Sequence, residues 1–134
     1  MLHPARRLAL DLLRQLEQGG FSNRRLAAAL DGAALERRDR ALVTNLVYGV
    51  LRHRARLDAL IDAVASKPAR LRGRTRTLLR MATFELRELG APIHVVASQA
   101  VAAASLLDRK GPLRRVVQGI VCELDRRGAE LDAA

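Results

Sequence analysis

Basic residues are concentrated in one segment of the chain, and their type suits phosphate binding. Residues 67–87 hold seven basic residues and one acid, Glu85, so six of the ten units of net positive charge lie there. On a helix, four of these arginines share a stripe roughly 80° wide: Arg72, Arg76, Arg80 and Arg87. A row of guanidiniums repels itself unless an anion lies opposite, and phosphate fits the planar fork. The stripe predicts a phosphate-bearing ligand; the alternative is a solvated face in an arginine-rich chain.

The residues that usually perform catalysis or bind metals are scattered. The three histidines have no partner at metal-ligand spacing, and we expect each at the surface or core edge: His3, His53 and His94. Cys122 follows the apolar pattern of a helix, which predicts a buried, inert thiol. Asp58 and Asp62 are four residues apart and are predicted to be exposed helix acids. We therefore expect no enzymatic activity, no cofactor and no metal in this chain.

Composition favours one helical domain over residues 1–134. Hydrophobic residues make up 49% of the chain, almost all Leu, Ala and Val, and the aromatic residues are Phe21, Tyr48 and Phe84. One cysteine excludes an internal disulfide, and no apolar run approaches the length of a membrane span. The N-terminus lacks the apolar stretch of a signal peptide. These features predict a cytoplasmic protein.

Apolar spacing predicts an all-α fold with six helical segments. They lie at about residues 4–18, 22–30, 36–65, 71–89, 94–108 and 113–127. The third is stopped by Lys67-Pro68, and because His53 and Arg54 fall on or beside its apolar face, we expect a bend near residues 52–56 or two helices in place of one. The fourth carries Met81 and Phe84 beside its main apolar stripe, which predicts a central position. The last is predicted to direct six side chains inward: Leu113, Val116, Val117, Ile120, Val121 and Leu124.

Three segments carry a more specific pattern. Residues 39–52 read DRALVTNLVYGVLR and are followed by Leu57-Asp58, residues 84–86 read FEL, and residues 92–96 read PIHVV. Together they resemble the NusB-like RNA-binding domain family, most closely the form at the N-terminus of the RsmB ribosomal RNA cytosine-5 methyltransferases. One departure lies on the last helix, where the family usually has Asn-x-Val-Leu-Arg and this chain has QGIVC at residues 118–122.

The resemblance implies a bundle of six to seven helices in two sub-bundles and an RNA-binding role. Arg6 and Arg7 match the arginine-rich start through which NusB proteins touch RNA, and helix geometry places Arg14 on the outward face of Arg7. For Arg6, a solvated first turn is the alternative. Tyr48 and Arg52 lie one turn apart; they form either a stacking pair for a base or, for Tyr48, a contact between packed helices.

The resemblance leaves several functions open. The first is a domain that docks structured ribosomal RNA for a 16S rRNA cytosine-5 methyltransferase, whose catalytic domain would be separate from these residues. The second is a free-standing transcription antitermination factor that acts with a ribosomal protein partner. The third is a helical scaffold that binds no RNA. RNA, a methyltransferase domain and a ribosomal protein are therefore the expected partners, and the chain is either a fragment or a free-standing relative.

Overall fold

The computed structural model describes residues 1–20, 22–109 and 111–133. Within these ranges the chain forms eight α-helices and no strand. They are α1 (Pro4–Gly19), α2 (Asn23–Gly32), α3 (Arg37–Arg52), α4 (Arg54–Val64), α5 (Gly73–Arg87), α6 (Ile93–Leu107), α7 (Leu113–Arg126) and α8 (Gly128–Ala133), with a short 3₁₀ helix, Pro68–Arg70, before α5. The predicted all-α class is confirmed. Phe21 lies outside the described residues. No described helix is long and apolar enough to cross a bilayer.

The predicted third segment is divided into two helices, α3 and α4. This confirms the alternative of two helices over that of one bent helix. His53 has φ −105° and ψ 17°, which ends α3, and its carbonyl accepts the Leu57 amide hydrogen bond that starts α4. The His53 ring stacks on Phe84 with centroids 6.1 Å apart, which attaches this junction to α5. The break thus lies between helices that both pack on the core.

Helix α5 is the centre of the molecule. It contacts α1 and α3 on one side and α4, α6 and α7 on the other, and every residue from Thr77 to Glu85 is buried. The two sets of helices form two sub-bundles that share α5 as a common wall. Small buried side chains on α6, including Ala100, Ala103 and Ala104, allow its close approach to α5 and α7. The predicted central helix and the two sub-bundles are confirmed.

Val116 and Cys122 of α7 were predicted to be buried, but both are exposed. The buried face of α7 is formed by Val117, Ile120, Val121 and Leu124. At 100° per residue, Val116 lies roughly 90° and Cys122 roughly 150° from the centre of this face. Val116 is accordingly 42% exposed and the Cys122 thiol is also exposed. The predictions of an inward Val116 and a buried Cys122 were wrong because the apolar face of α7 is narrower than its composition suggests.

Gly49 allows α3 to approach α5, and its replacement tests this contact. A Cβ at position 49 would overlap the buried ring of Phe84. We expect Gly49→Ala to lower the free energy of unfolding by about 2 kcal/mol in urea titrations, because overpacking of about 3 kcal/mol exceeds the gain of about 1 kcal/mol in helix propensity. Gly119→Ala on α7 is the matched control, since a Cβ there meets no atom within 4 Å and should stabilise the domain. Equal stability of the two variants would contradict the contact.

Candidate nucleic-acid interface

The structure divides the predicted arginine stripe into one exposed and three largely buried side chains. Arg72 is exposed, whereas the side chains of Arg76, Arg80 and Arg87 are 13%, 9% and 8% exposed. Arg87 pairs with Asp132 of α8. The prediction that these four arginines form an exposed face was therefore wrong for three of them. The reason is that carboxylates on neighbouring helices lie opposite them.

Arg76 and Arg80 belong to an ion network that joins α1, α4 and α5. Arg80 donates to both carboxylate oxygens of Asp58, at 2.8 and 3.0 Å, and to Glu17 at 3.1 Å. Arg76 donates to Asp62 at 2.8 Å and lies 3.5 Å from Asp58. We call these five residues the ion network. Asp58 is half-buried against Arg80, which corrects its interpretation as an exposed helix acid, whereas Asp62 is exposed as predicted and also pairs with Arg76.

The ion network stabilises the charged form of its most buried cation. Burial of the Arg80 guanidinium by itself would lower its pKa, but the hydrogen bonds and negative charges of Asp58 and Glu17 outweigh that effect and raise the pKa above its ordinary value. Thr77 donates to the second oxygen of Glu17 at 2.8 Å. Arg80 therefore stays charged, and Asp58 and Glu17 balance its charge within the protein.

The first helix also directs one of its predicted site residues inward. Arg6 donates to Glu85 at 2.8 and 3.1 Å, with side chains only 13% and 4% exposed. This buried pair replaces the solvated first turn that was the alternative for Arg6. Arg7 is exposed, and Arg14 is 29% exposed and 3.5 Å from Glu17. An RNA contact by Arg6, Arg7 or Arg14 stays a prediction.

The three histidines and Tyr48 either contact other parts of the protein or lie at its surface. His3 accepts the Ala5 amide hydrogen bond at the start of α1, and His94 is exposed on α6. Tyr48 is 38% exposed and its hydroxyl bonds to Asn23 of α2, so it joins two helices at the surface. Arg52 is exposed near the end of α3. Among the described residues, no cluster of three or more His, Cys, Asp or Glu has the geometry of a metal site.

Four arginines converge where α1, α4 and α5 meet. Arg54, Arg72 and Arg74 are exposed, and no described acid lies within 4.0 Å of their guanidinium groups. Arg14 lines a depression of about 250 Å³ together with Arg54 and Arg72, and a second of about 330 Å³ together with Arg74. We call these four arginines the basic surface.

Local structure explains why the basic surface faces outward. Arg54 is the first residue of α4, and Arg72 and Arg74 flank Gly73 at the start of α5, before the fully buried stretch of that helix begins. Gly73 has φ +59°, a value that favours glycine and lets the chain turn sharply into α5. The first turn of α5 has no acid and no side-chain cap. Sequence reasoning missed Arg54 and Arg74, since neither falls on the predicted stripe.

Comparison with known proteins identifies the family. Residues 3–126 match the NusB family. The chain is 30% identical over 125 residues to a probable ribosomal RNA small subunit methyltransferase B of Bacillus subtilis, covering 92% of this chain and 28% of that protein. It is 37% identical over 89 residues to ribosomal RNA small subunit methyltransferase B of Thermus thermophilus, covering 66% and 22%.

A relative of another kind matches as well. The chain is 33% identical over 113 residues to transcription antitermination protein NusB of Sinorhizobium fredii, covering 75% of this chain and 71% of that protein. The chain thus spans most of this relative but less than a third of either methyltransferase. No solved structure matches it. Because the family match covers nearly all of an all-helical fold with a shared central helix, the chain belongs to the NusB family.

Proposed function

We propose that this chain is an RNA-binding domain that docks structured ribosomal RNA and directs a cytosine-5 methyltransferase to the small-subunit RNA. Membership of the NusB family and the similarity to ribosomal RNA small subunit methyltransferases B support this function. The observation that carries it is the convergence of Arg14, Arg54, Arg72 and Arg74 on one surface.

The distribution of charge favours this surface over the buried arginines as the RNA contact. Each acid of the ion network, Glu17, Asp58 and Asp62, already faces Arg76 or Arg80. In the part of the chain that the structure describes, no acid lies within 4.0 Å of the guanidiniums of Arg54, Arg72 and Arg74, so their charge is available to a ligand. An RNA backbone supplies the missing negative charge through bidentate phosphate contacts.

Recognition by shape and backbone follows from the shortage of aromatic side chains. Phe84 is buried, and the hydroxyl of Tyr48 is engaged by Asn23. Proteins that read single-stranded bases usually stack them on exposed aromatic rings, whereas double-stranded RNA is bound through phosphates and its overall form. We therefore propose a helical or otherwise structured RNA segment as the ligand.

Catalysis is assigned to a separate domain. The chain matches only 28% and 22% of the two methyltransferases, and its one thiol, Cys122, lies exposed on α7, far along the chain from the basic surface. We expect this chain to transfer no methyl group by itself and to act by placing RNA before a methyltransferase domain. A cytoplasmic location stays a prediction.

The salt dependence of RNA affinity tests the proposed function. We expect the affinity for a small-subunit ribosomal RNA fragment to fall with a log-log salt slope of about −2 to −4, because about three to five phosphate contacts release counterions. Fluorescence anisotropy at several KCl concentrations measures the slope, with a single-stranded RNA of equal length as control. Absence of binding at low salt, or a slope near zero, would contradict the proposal.

A second function is favoured by the match to transcription antitermination protein NusB, since the chain covers 71% of that relative. In that case the chain would act in transcription antitermination with a ribosomal protein partner. The two functions differ in partner dependence. A factor of the second kind should gain roughly tenfold or more in RNA affinity when the ribosomal protein is added, whereas a targeting domain should bind equally well without it.

A further inference from the structure

We infer that the depression between Arg14, Arg54 and Arg72 is a discrete site for a single phosphate group of the RNA backbone. This inference rests on the proposed function and adds to it a defined position that one phosphate occupies, in place of diffuse attraction to a basic surface. The depression has a volume of about 250 Å³. Five arginines line it: Arg14, Arg54, Arg72, Arg76 and Arg80. The other lining residues are Glu17, Leu71 and Gly73.

The charge around this depression is unbalanced in a defined way. Glu17 contributes one negative charge to the lining, and Asp58 and Asp62, which do not line the depression, pair with Arg80 and Arg76. The surplus positive charge therefore belongs to Arg54 and Arg72, which have no acidic partner among the described residues. Two uncompensated guanidiniums beside the same concave surface repel each other, and one anion between them removes that repulsion.

The wall of the depression is held in place before any ligand arrives. Arg76 donates to the carbonyl oxygens of Leu71 and Pro68 at 2.8 and 2.9 Å, and Arg80 grips Asp58 through two hydrogen bonds. These contacts fix the backbone that carries Arg72. A site whose walls are already ordered loses less conformational entropy on binding than a set of free surface side chains.

The backbone conformation of Gly73 fixes the turn between Arg72 and Arg74. A Cβ at this position would lie 3.9 Å from the Nη2 atom of Arg14, an ordinary van der Waals contact, so the φ of +59° is what favours glycine here. The guanidinium fork of arginine matches two phosphate oxygens at once, so Arg54 and Arg72 can each hold one edge of the same tetrahedral group. A phosphodiester has the charge and the shape for this position.

The test compares two double variants with equal charge loss. Arg54→Gln with Arg72→Gln removes the surplus at the depression. Arg37→Gln with Arg38→Gln removes two exposed arginines from the first turn of α3, which starts beside His3. His3 is eleven residues from Arg14 along α1, a separation of roughly 16 Å. Circular dichroism and thermal unfolding confirm that both variants are folded.

Inorganic phosphate and RNA are the two probes. We expect phosphate, titrated at constant ionic strength, to cause saturable shifts of the Gly73 and Arg74 amide resonances in the wild type and the α3 variant, and none in the Arg54 and Arg72 variant. For a structured ribosomal RNA fragment we expect about tenfold weaker binding by the Arg54 and Arg72 variant and less than threefold by the α3 variant.

Each contrary result has a separate meaning. Linear phosphate shifts without saturation, or equal loss of RNA affinity in both variants, would overturn the discrete site and leave the proposed function intact. Saturable phosphate binding by a wild-type protein that binds no RNA would overturn the assignment to RNA and indicate a free phosphate-bearing ligand. Absence of RNA binding by the wild type would overturn the proposed function itself.

Discussion

Replacing Arg80 with methionine is expected to lower the free energy of unfolding by about 3 kcal/mol. Removing one partner of a buried ion pair leaves the other charge without compensation, at a typical cost of about 3–5 kcal/mol. The lower end applies because Asp58 is 30% exposed and keeps Arg76 at 3.5 Å, and because Glu17, although only 6% exposed, keeps Arg14 at 3.5 Å. Urea unfolding followed by circular dichroism measures the difference.

Two controls separate this effect from loss of surface charge. Arg72→Met removes an exposed, unpaired arginine from the same segment and should change stability by no more than about 0.5 kcal/mol. Adding Asp58→Asn and Glu17→Gln to Arg80→Met removes the stranded charges and should restore much of the loss. If Arg80→Met proved as stable as Arg72→Met, the ion network would have no role in folding.

Reversing the charge of Arg54, Arg72 and Arg74 to glutamate should weaken RNA binding about a hundredfold or more. Three phosphate contacts would be lost, and three carboxylates would repel the backbone. Folding should be preserved, because these residues lie at the starts of α4 and α5, where the helix dipole favours negative charge. The affinity and the salt slope, which should flatten, are measured by anisotropy.

The control for this reversal matches it in charge and in position. Arg37, Arg38 and Arg114 are exposed, lack acidic partners among the described residues, and lie in the first turns of α3 and α7. Their reversal to glutamate should reduce RNA affinity much less. An equal reduction would mean that total charge alone determines binding and that the basic surface has no special part in it.

Sequence reasoning located most of the helices, but it misjudged the exposure of arginines that face acids on other helices, and it overestimated the width of the apolar face of α7 at Val116 and Cys122. Helical periodicity predicted α1 to α7, including the central α5, but not the short α8, and the exposure of Arg76 and Arg80 depended on acids elsewhere in the chain. Asp58 and Asp62 repeat the four-residue spacing of those arginines, so an antiparallel pair of helices brings them together. The sequence therefore contained the matching spacing of the acids and the arginines. The pairs could be identified only once the relative positions of α4 and α5 were known.

The residues that carry the family resemblance turn out to make internal contacts. Gly49 lies under the ring of Phe84, Glu85 pairs with Arg6, and Asp58 holds Arg80. These contacts explain why the resemblance predicted the fold well. All four arginines of the basic surface lie outside those motifs, and whether each of them has an acidic partner depends on where the acids lie in three dimensions. Arg54 and Arg74 could therefore not be distinguished from their paired neighbours.

The position of α5 between the two sub-bundles has a consequence for cooperativity. Neither α1 with α3, nor α4 with α6 and α7, has a complete core without this helix. Partial opening of either half would expose the buried side chains of α5 to water and so weaken the other half as well. We therefore expect local opening of one sub-bundle to cost nearly as much free energy as global unfolding, and hydrogen exchange in both halves to report the same opening event.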